Sequence, residues 1–477
     1  MLLSALLSGV DVKSNYTDVE VLDIKSNSND NLLGAVYVCI SGVKIDGHMF
    51  SKLACEKGAV AVISQMVTGA ENELIVEDTR ACYAIMCGNF FENKKDSLCL
   101  IATTGTNGKT SVSTIIKRLL CGSNVKCGLI STIRAEYGEF TEELPRTTPD
   151  AYTLHRLFYD MQKNDITTVS LEASSHALDQ KRLENIQFNI AIFTNLTQDH
   201  LDYHESMIAY FNAKKKLFLM ADYAVINIDD SYGRELIKSL TIPYVTYATT
   251  DETADFYADS IICNQDGVKF RLNHNDIKCK VSFAIPGIYS VQNALAAIAA
   301  CVKFGMSIES IVLGLAQMPG IMGRSELIKT GKGFSVICDY AHTPDGLINI
   351  LKSTRQYAKG KIILLFGCGG DRDKEKRAIM GSIATELADF SIVTSDNPRT
   401  ENPSDIINDI LCGMAHDKEY IAILDRRDAI RYAIATANKG DIIILAGKGH
   451  EQYQILGDKK LQFDERKLVR GILKSLG

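Results

Sequence analysis

Apolar and polar positions along this chain fall into two alternating kinds of segment. Short continuous apolar runs, many β-branched, occupy residues 35–40, 59–63, 98–103, 167–172, 190–195 and 223–228. More follow at 334–339, 361–367, 390–395 and 441–446, and many of the runs end on Gly, Asp, Asn or Ser. Between them lie stretches where apolar residues recur every three or four positions, such as 111–120, 291–302, 375–388 and 428–437. A short unbroken apolar run fits a strand buried on both faces, and the longer period fits a helix with one face on a core. Their alternation predicts an α/β chain built on mostly parallel sheets. Ligands of such sheets bind beyond the carboxyl ends of the strands, which directs attention to the residues there.

Polar or irregular breaks near 93–97 and 320–324 divide the chain into three expected domains, 1–97, 98–322 and 323–477. That number agrees with 477 residues at roughly 100–200 per domain. With 46% hydrophobic and 23% charged residues and no low-complexity tract, the chain is a folded one. A net charge of −6 argues against a general nucleic-acid binder. The 13 cysteines are odd in number, irregularly spaced and never in a Cys-x-x-Cys pair. They read as small buried hydrophobes of a reducing compartment, Cys39, Cys99, Cys301 and Cys338 among them. Residues 1–10 are apolar but lack the basic start and cleavage site of a signal peptide, and no segment has the ~18–20 apolar residues of a membrane span. A soluble cytoplasmic protein without membrane insertion is expected.

The strongest local signal is Thr103-Thr104-Gly105-Thr106-Asn107-Gly108-Lys109-Thr110, followed by Ser111. It lies between a predicted strand and a predicted helix. There the glycines let backbone N–H groups close around phosphates, and the helix N-terminus adds positive potential. Lys109 would reach the β- and γ-phosphates and the Thr110 hydroxyl would coordinate Mg²⁺. The strict pattern has Gly where this chain has Thr103, so the loop is a variant. Asn93-Lys94-Lys95-Asp96 matches a guanine-reading motif, but it precedes the phosphate loop and reads as a solvated turn. Two further strand ends carry Glu172-Ala173-Ser174-Ser175-His176 and Gln198-Asp199-His200-Leu201-Asp202-Tyr203-His204. Glu172 suits Mg²⁺, which prefers oxygen. His200 and His204 are spaced to share a helix face, but no Glu lies between them as in a zinc protease helix.

With these residues in order the chain resembles the Mur ligases, ATP-dependent amide-forming enzymes of peptidoglycan precursor synthesis. The resemblance runs nearly the full length. Its motifs are the phosphate loop, Thr147-Thr148-Pro149, Glu172 to His176, Asp199 to His204, Tyr289 to Asn293, Gly323-Arg324, Asp339-Tyr340-Ala341-His342-Thr343-Pro344, Gly367 to Arg377, Asp396-Asn397-Pro398-Arg399 and Gly447-Lys448-Gly449-His450-Glu451. It implies an N-terminal UDP-sugar-binding α/β domain, a central P-loop ATPase domain and a C-terminal Rossmann-like domain. The implied reaction adds meso-diaminopimelate to UDP-N-acetylmuramoyl-L-Ala-D-Glu through an acyl phosphate, with ATP and Mg²⁺, in a monomer. Lys109, His200 and Lys214 fall at catalytic positions, Lys214 where the family carries a carbamylated lysine. Thr110, Glu172, His200 and the Lys214 carbamate are the implied metal ligands. Asn293, Arg324 and Asp339 match positions on the adenine and ribose side and at the domain junction. Ser28, His48, Thr147, Thr148, Ser174, Gln180 and Arg182 match the UDP-muramoyl-peptide contacts. The chain departs from the family where Asp-Ser-Arg reads Asn27-Ser28-Asn29.

The amino acid to be added is implied by the C-terminal motifs. Arg372, Asp396, Asn397, Pro398, Arg399, Gly447 and Glu451 match the family's diaminopimelate pocket. Arg399 offers the distal carboxylate a bidentate, charge-assisted partner, and lysine, lacking that carboxylate, would leave the guanidinium unpaired. Glu451 suits an ammonium. Rival readings are a folylpolyglutamate synthetase, a ligase adding D-Ala-D-Ala, and a nucleotide-dependent scaffold without catalysis. The Asp-Asn-Pro-Arg and Gly-Lys-Gly-His-Glu segments speak against the first two, and the Lys109, Thr110, Glu172 and Lys214 set against the third.

Overall fold

The computed structural model describes residues 1–42, 45–93, 97–415 and 417–475. Lys94, Lys95 and Asp96 of the turn read from sequence lie outside the described residues. Every apolar run singled out above contains a strand, and the four periodic stretches fall in the helices Lys109–Gly122, Ile288–Phe304, Glu375–Leu387 and Arg426–Thr436. The chain forms two compact units. One comprises Met1–Thr104, Asn124–Ala191 and Ala213–Tyr223, and the other Gly105–Ser123, Ile192–Asn212 and Ala224–Gly477.

The first unit begins with a four-stranded parallel sheet, Asp23–Lys25, Ala35–Val38, Ala61–Ser64 and Glu73–Ile75, in sequence order. Val36, Val38, Ile63 and Leu74 pack with Leu3, Leu6 and the apolar face of the helix Thr79–Phe90. Asp78 starts that helix by accepting the Arg80 and Ala81 N–H groups, an N-cap worth about 1 kcal/mol. In the same unit Cys99–Thr104 pairs in parallel with Thr168–Glu172, which pairs in parallel with Cys127–Ile130. A hairpin of Ala135–Tyr137 and Phe140–Glu142 extends this sheet antiparallel. Glu172 is the last residue of a fully buried strand, where a carboxylate survives only with hydrogen-bond donors.

In the second unit Ala224–Asn227, Tyr244–Ala248 and Phe256–Asn264 pair in parallel, and the chain then turns back through Gly267–His274 and Ile277–Phe283 antiparallel. Burial alternates along much of these last strands, so their apolar positions are split by polar ones and form no continuous run. The C-terminal sheet has the spatial order Glu326–Lys329, Ser335–Asp339, Ile442–Ala446, Ile362–Phe366, Phe390–Val393, Tyr420–Ala422. All its pairs are parallel except the first. Ile442–Ala446, last in sequence of the parallel strands, is inserted between the first two of them. The strand order therefore reverses there and opens a crevice at the carboxyl ends. No helix among the described residues is long and apolar enough to cross a membrane. Cys39, Cys301 and Cys338 are buried and Cys99 half-buried.

Candidate active site

The helix Lys109–Gly122 starts directly after Gly108, and both loop glycines have positive φ, 151° for Gly105 and 88° for Gly108. A Cβ on Gly105 would lie 1.8 Å from Thr194 Oγ1, and one on Gly108 2.5 Å from Asn293 Oδ1. Only glycine fits at either place. The segment after Ile190–Phe193 braces the loop. Thr106 N–H donates to Asn195 O and Asn107 N–H to Asn195 Oδ1, both at 2.9 Å, and Thr194 Oγ1 donates to Asn107 O at 2.6 Å. The Lys109 ammonium rests on the Gly105 and Thr106 carbonyls at 2.9 Å, folded over the loop it would share with phosphates. Arg324 Nη2 donates to Thr110 Oγ1 at 2.7 Å, with its guanidinium 4.7 Å from the Tyr340 ring centroid. Ser111 is buried in the first helical turn. Asp339 acts one step away: its carboxylate accepts the N–H of Ser325, next to Arg324, at 2.7 Å, and that of Ala341 at 2.7 Å. Asn107 Nδ2 donates to Asp345 Oδ2 at 2.8 Å.

In the first unit six residues singled out from sequence meet in one hydrogen-bond network. Glu172, fully buried, accepts from Thr132 N–H at 2.8 Å and Thr132 Oγ1 at 3.0 Å. Thr132 Oγ1 also meets Thr147 Oγ1 at 3.1 Å. Thr148 Oγ1 donates to Glu172 O at 2.7 Å, accepts Ser174 N–H at 3.0 Å and lies 3.1 Å from Ser174 Oγ. Arg182 donates to Thr148 O at 2.9 Å and to Gln180 Oε1 at 2.6 Å. Thr132 is the member that sequence reading missed; a lone threonine after a strand carries no pattern of its own.

Lys214, in the helix Met207–Lys215, is buried, 1% exposed. In the second unit His200 caps the short helix Leu201–His204 with φ 55°, its Nε2 3.4 Å from Asp199 Oδ2. His200 and His204 flank Tyr210, one edge-on and the other stacked. His204 is buried there. Asp199 is buried as well. Burial would raise its carboxyl, but the charges of His200, Lys376 and His342 outweigh that and hold it well below the usual carboxylate range. Lys376 Nζ is 3.9 Å away.

The C-terminal crevice gathers the remaining motifs. Lys448, 0% exposed, places its ammonium 2.9 Å from Asn397 Oδ1, 3.2 Å from Asp396 Oδ1 and 3.3 Å from Glu451 Oε2. Asn397 is consumed by the protein: Oδ1 also accepts Ile455 N–H at 3.0 Å, and Nδ2 donates to Glu451 Oε2 at 2.9 Å. Burial raises the Glu451 carboxyl, against Lys448. Burial opposes ionisation of Asp396 too, but the Lys448 and Arg426 cations keep it low. Gly447 (φ 109°) follows the central strand, with its N–H on Asp339 O at 3.1 Å. Arg399 has φ 51°, and its Nη1 donates to Gly370 O at 2.8 Å. A Cβ on Gly369 would meet both Arg399 Nη1, at 2.8 Å, and Arg372 Cγ, at 3.9 Å. Surrounding protein, and then the Arg399 guanidinium, disfavour the charge on Arg372. Pro398 is buried and holds the turn between Asn397 and Arg399.

The N-terminal residues lie in the first unit. His48 Nε2 accepts Gln65 N–H at 3.1 Å, so its proton lies on Nδ1, 2.7 Å from Asp46 Oδ1. Both ring nitrogens are thereby used to fold the loop. Asn27 Oδ1 accepts Asn29 N–H at 3.1 Å, forming a turn whose Ser28 carbonyl takes the Lys57 ammonium at 2.6 Å. A cation therefore stands at the very segment where Arg is missing from the family pattern. Sequence reading gave no role to Lys57 or Lys448, because a lysine letter does not say whether the side chain is solvated or buried.

Comparison with known proteins follows the same lines. Residues 103–301 match the Mur ligase middle domain, and residues 323–449 match the Mur ligase, glutamate ligase domain. The chain is 41% identical to the UDP-N-acetylmuramoyl-L-alanyl-D-glutamate--2,6-diaminopimelate ligase of Syntrophomonas wolfei, over 98% of this chain and 97% of that protein. It is 44% identical to the protein of that name from Caldanaerobacter subterraneus, over 99% of both. A solved structure of a UDP-N-acetylmuramoyl-L-alanyl-D-glutamate--2,6-diaminopimelate ligase matches with a TM-score of 0.69 at 33% identity, over 96% of this chain and 95% of that one. The phosphate loop, the Glu172 network and the C-terminal crevice are thus parts of one known architecture, and the chain belongs to the Mur ligase family.

Proposed function

We propose that the chain joins meso-diaminopimelate to UDP-N-acetylmuramoyl-L-alanyl-D-glutamate at the expense of ATP, in cytoplasmic peptidoglycan precursor synthesis. Its domains are read as 1–97 for the UDP-muramoyl end, 98–322 for ATP and 323–477 for the incoming amino acid. The family matches at 103–301 and 323–449 support the last two. The observation that carries the amino-acid assignment is the Arg372 and Arg399 pair beside the Asp396, Lys448 and Glu451 cluster. The guanidiniums suit the distal carboxylate of diaminopimelate. The Asp396 and Glu451 carboxyl groups of the cluster suit the distal amine.

A carboxylate is a poor acylating agent until its oxygen becomes a good leaving group. Its conversion to an acyl phosphate by ATP supplies that group, and attack by the amine then releases phosphate. Gly105 and Gly108 let the backbone turn into the first turn of Lys109–Gly122, whose N-terminal N–H groups suit nucleotide phosphates. Lys109 would exchange its two loop carbonyls for phosphate oxygens and offset the charge gathering on the transferred group. Mg²⁺ would be held by the Thr110 hydroxyl, with Glu172 and a carbamate on Lys214, both in the first unit, serving a second ion. It supplies charge neutralisation when bound. Glu172 uses part of its lone pairs on Thr132 and keeps the rest for a cation. Carbamylation would turn the buried Lys214 from a cation that repels metal into an oxygen ligand. Arg182, Thr148 and Ser174 would hold the muramoyl dipeptide, and Ser28, His48 and Lys57 the UDP end.

The test is a ligation assay with ATP, Mg²⁺ and UDP-N-acetylmuramoyl-L-Ala-D-Glu, offering meso-diaminopimelate, L-lysine or L-ornithine separately. Product mass and phosphate release are followed. Product with meso-diaminopimelate alone is expected. Product with lysine would retain the ligase and remove the role of Arg399, and no phosphate from any amine would overturn the proposal.

A further inference from the structure

The strand Ile362–Phe366 runs into the turn carrying Arg372, and the neighbouring strand Phe390–Val393 into the turn carrying Arg399. Both turns are backbone-strained, with φ 54° at Asp371 and 51° at Arg399. Strain of this kind persists only where the surroundings over-determine it. Here the surroundings are one ion cluster centred on the buried Arg377. Arg377, 1% exposed, donates from Nη1 to Glu401 Oε2 at 3.0 Å and Asp409 Oδ2 at 2.8 Å, and from Nη2 to Glu401 Oε1 at 2.8 Å. Glu401 Oε1 in turn accepts the strained Asp371 N–H at 2.5 Å. The Asp371 carboxylate crosses back to Thr400, taking Oγ1 at 2.7 Å and N–H at 3.2 Å. Gly370 N–H donates to Asn397 O at 2.9 Å, and a Cβ on Gly370 would lie 1.9 Å from Pro398 O. Neither turn can shift without the other, and Glu401 is the side chain that ties the first to the helix Glu375–Leu387 through Arg377.

We propose that Glu401, clamped by Arg377, is a positioning residue for amino-acid selection: it holds the two arginine turns together so that Arg372 and Arg399 present one preformed carboxylate site. The proposal rests on the reading of that site as the diaminopimelate pocket. In this reading both residues act through the turns and not on the substrate itself. A carboxylate site built from two like charges tends to spread when its frame loosens, and small displacements of a positioning group are costly to turnover.

The experiment compares Glu401→Gln and Arg377→Lys with the wild type, in the full-length protein, using meso-diaminopimelate and L-lysine separately. Gln keeps the shape of Glu401 without its charge, and Lys keeps the charge of Arg377 without the bidentate fork. For both variants kcat/KM for meso-diaminopimelate should fall about tenfold or more, while the KM for ATP and the low rate with lysine stay within about twofold. Thr400→Ala, which removes only the cross-tie to Asp371, should shift the same ratio less and covers the case in which Arg377→Lys does not fold. Equal losses with both amines, or no loss with meso-diaminopimelate, would overturn the clamp. A wild type that ligates no meso-diaminopimelate would instead overturn the pocket reading. A wild type that does, with Arg399→Ala impaired and Glu401→Gln unaffected, would overturn the clamp alone.

Discussion

At the scale of single residues, what matters is charge held out of water. The Arg377 hydrogen bonds hold the Glu401 carboxyl down to about 2, from an ordinary value of 4.5. A depressed carboxylate pKa adds stability above the unfolded value and loses it as pH falls through the folded one. The gap in melting temperature between wild type and Glu401→Gln should therefore be full above about pH 5 and close between pH 4.5 and 2, as thermal melts across that range would show. Lys448 is the sharper case. Replacing it by Met leaves Asp396 and Glu451 buried without their ammonium, a loss of about 3–5 kcal/mol for a buried pair deprived of one partner. Denaturant unfolding of Lys448→Met should show it, and adding Glu451→Gln should recover part. The sequence made the phosphate loop legible because its spacing is dictated by phosphate geometry. It hid Lys448, Lys57 and Glu401, whose importance comes from neighbours far away in the chain.

At the scale of elements, legibility followed burial. Runs buried on both faces, such as 362–366 and 442–446, stand out as unbroken Ile and Leu. The hairpins of 256–283 are half-exposed, and their alternating pattern was passed over. Likewise the short edge strands Asp23–Lys25 and Tyr420–Ala422 are too brief to announce themselves. The phosphate-loop helix shows how little slack an element start allows. Ala at Gly108 would adopt φ 88° and press on Asn293 Oδ1 at 2.5 Å. Gly108→Ala should cost roughly 1–3 kcal/mol in melts from strain alone. It should also raise the KM for ATP at least severalfold while leaving the KM for meso-diaminopimelate near the wild-type value.

At the scale of the whole molecule, each substrate is proposed to meet a different set of loops. A nonhydrolysable ATP analogue with Mg²⁺ at about a hundred times its Kd should stabilise the folded state by about 2.7 kcal/mol. Thermal shift should register this in the wild type and largely lose it in Lys109→Ala, whose kcat should fall about 10²–10³-fold on loss of one transition-state cation. The alternation of strands and helices was legible from the apolar runs, but the residues that hold each site in shape were not. The paired turns after Ile362–Phe366 and Phe390–Val393 bear on how such enzymes diversify. Because Arg399 is braced by Gly370 O, and Gly370 has no room for a side chain, changing Arg399 alone leaves a socket still moulded around it. A new amino-acid preference would have to be inherited or grafted as a cassette of both turns, while the phosphate loop far upstream stayed untouched.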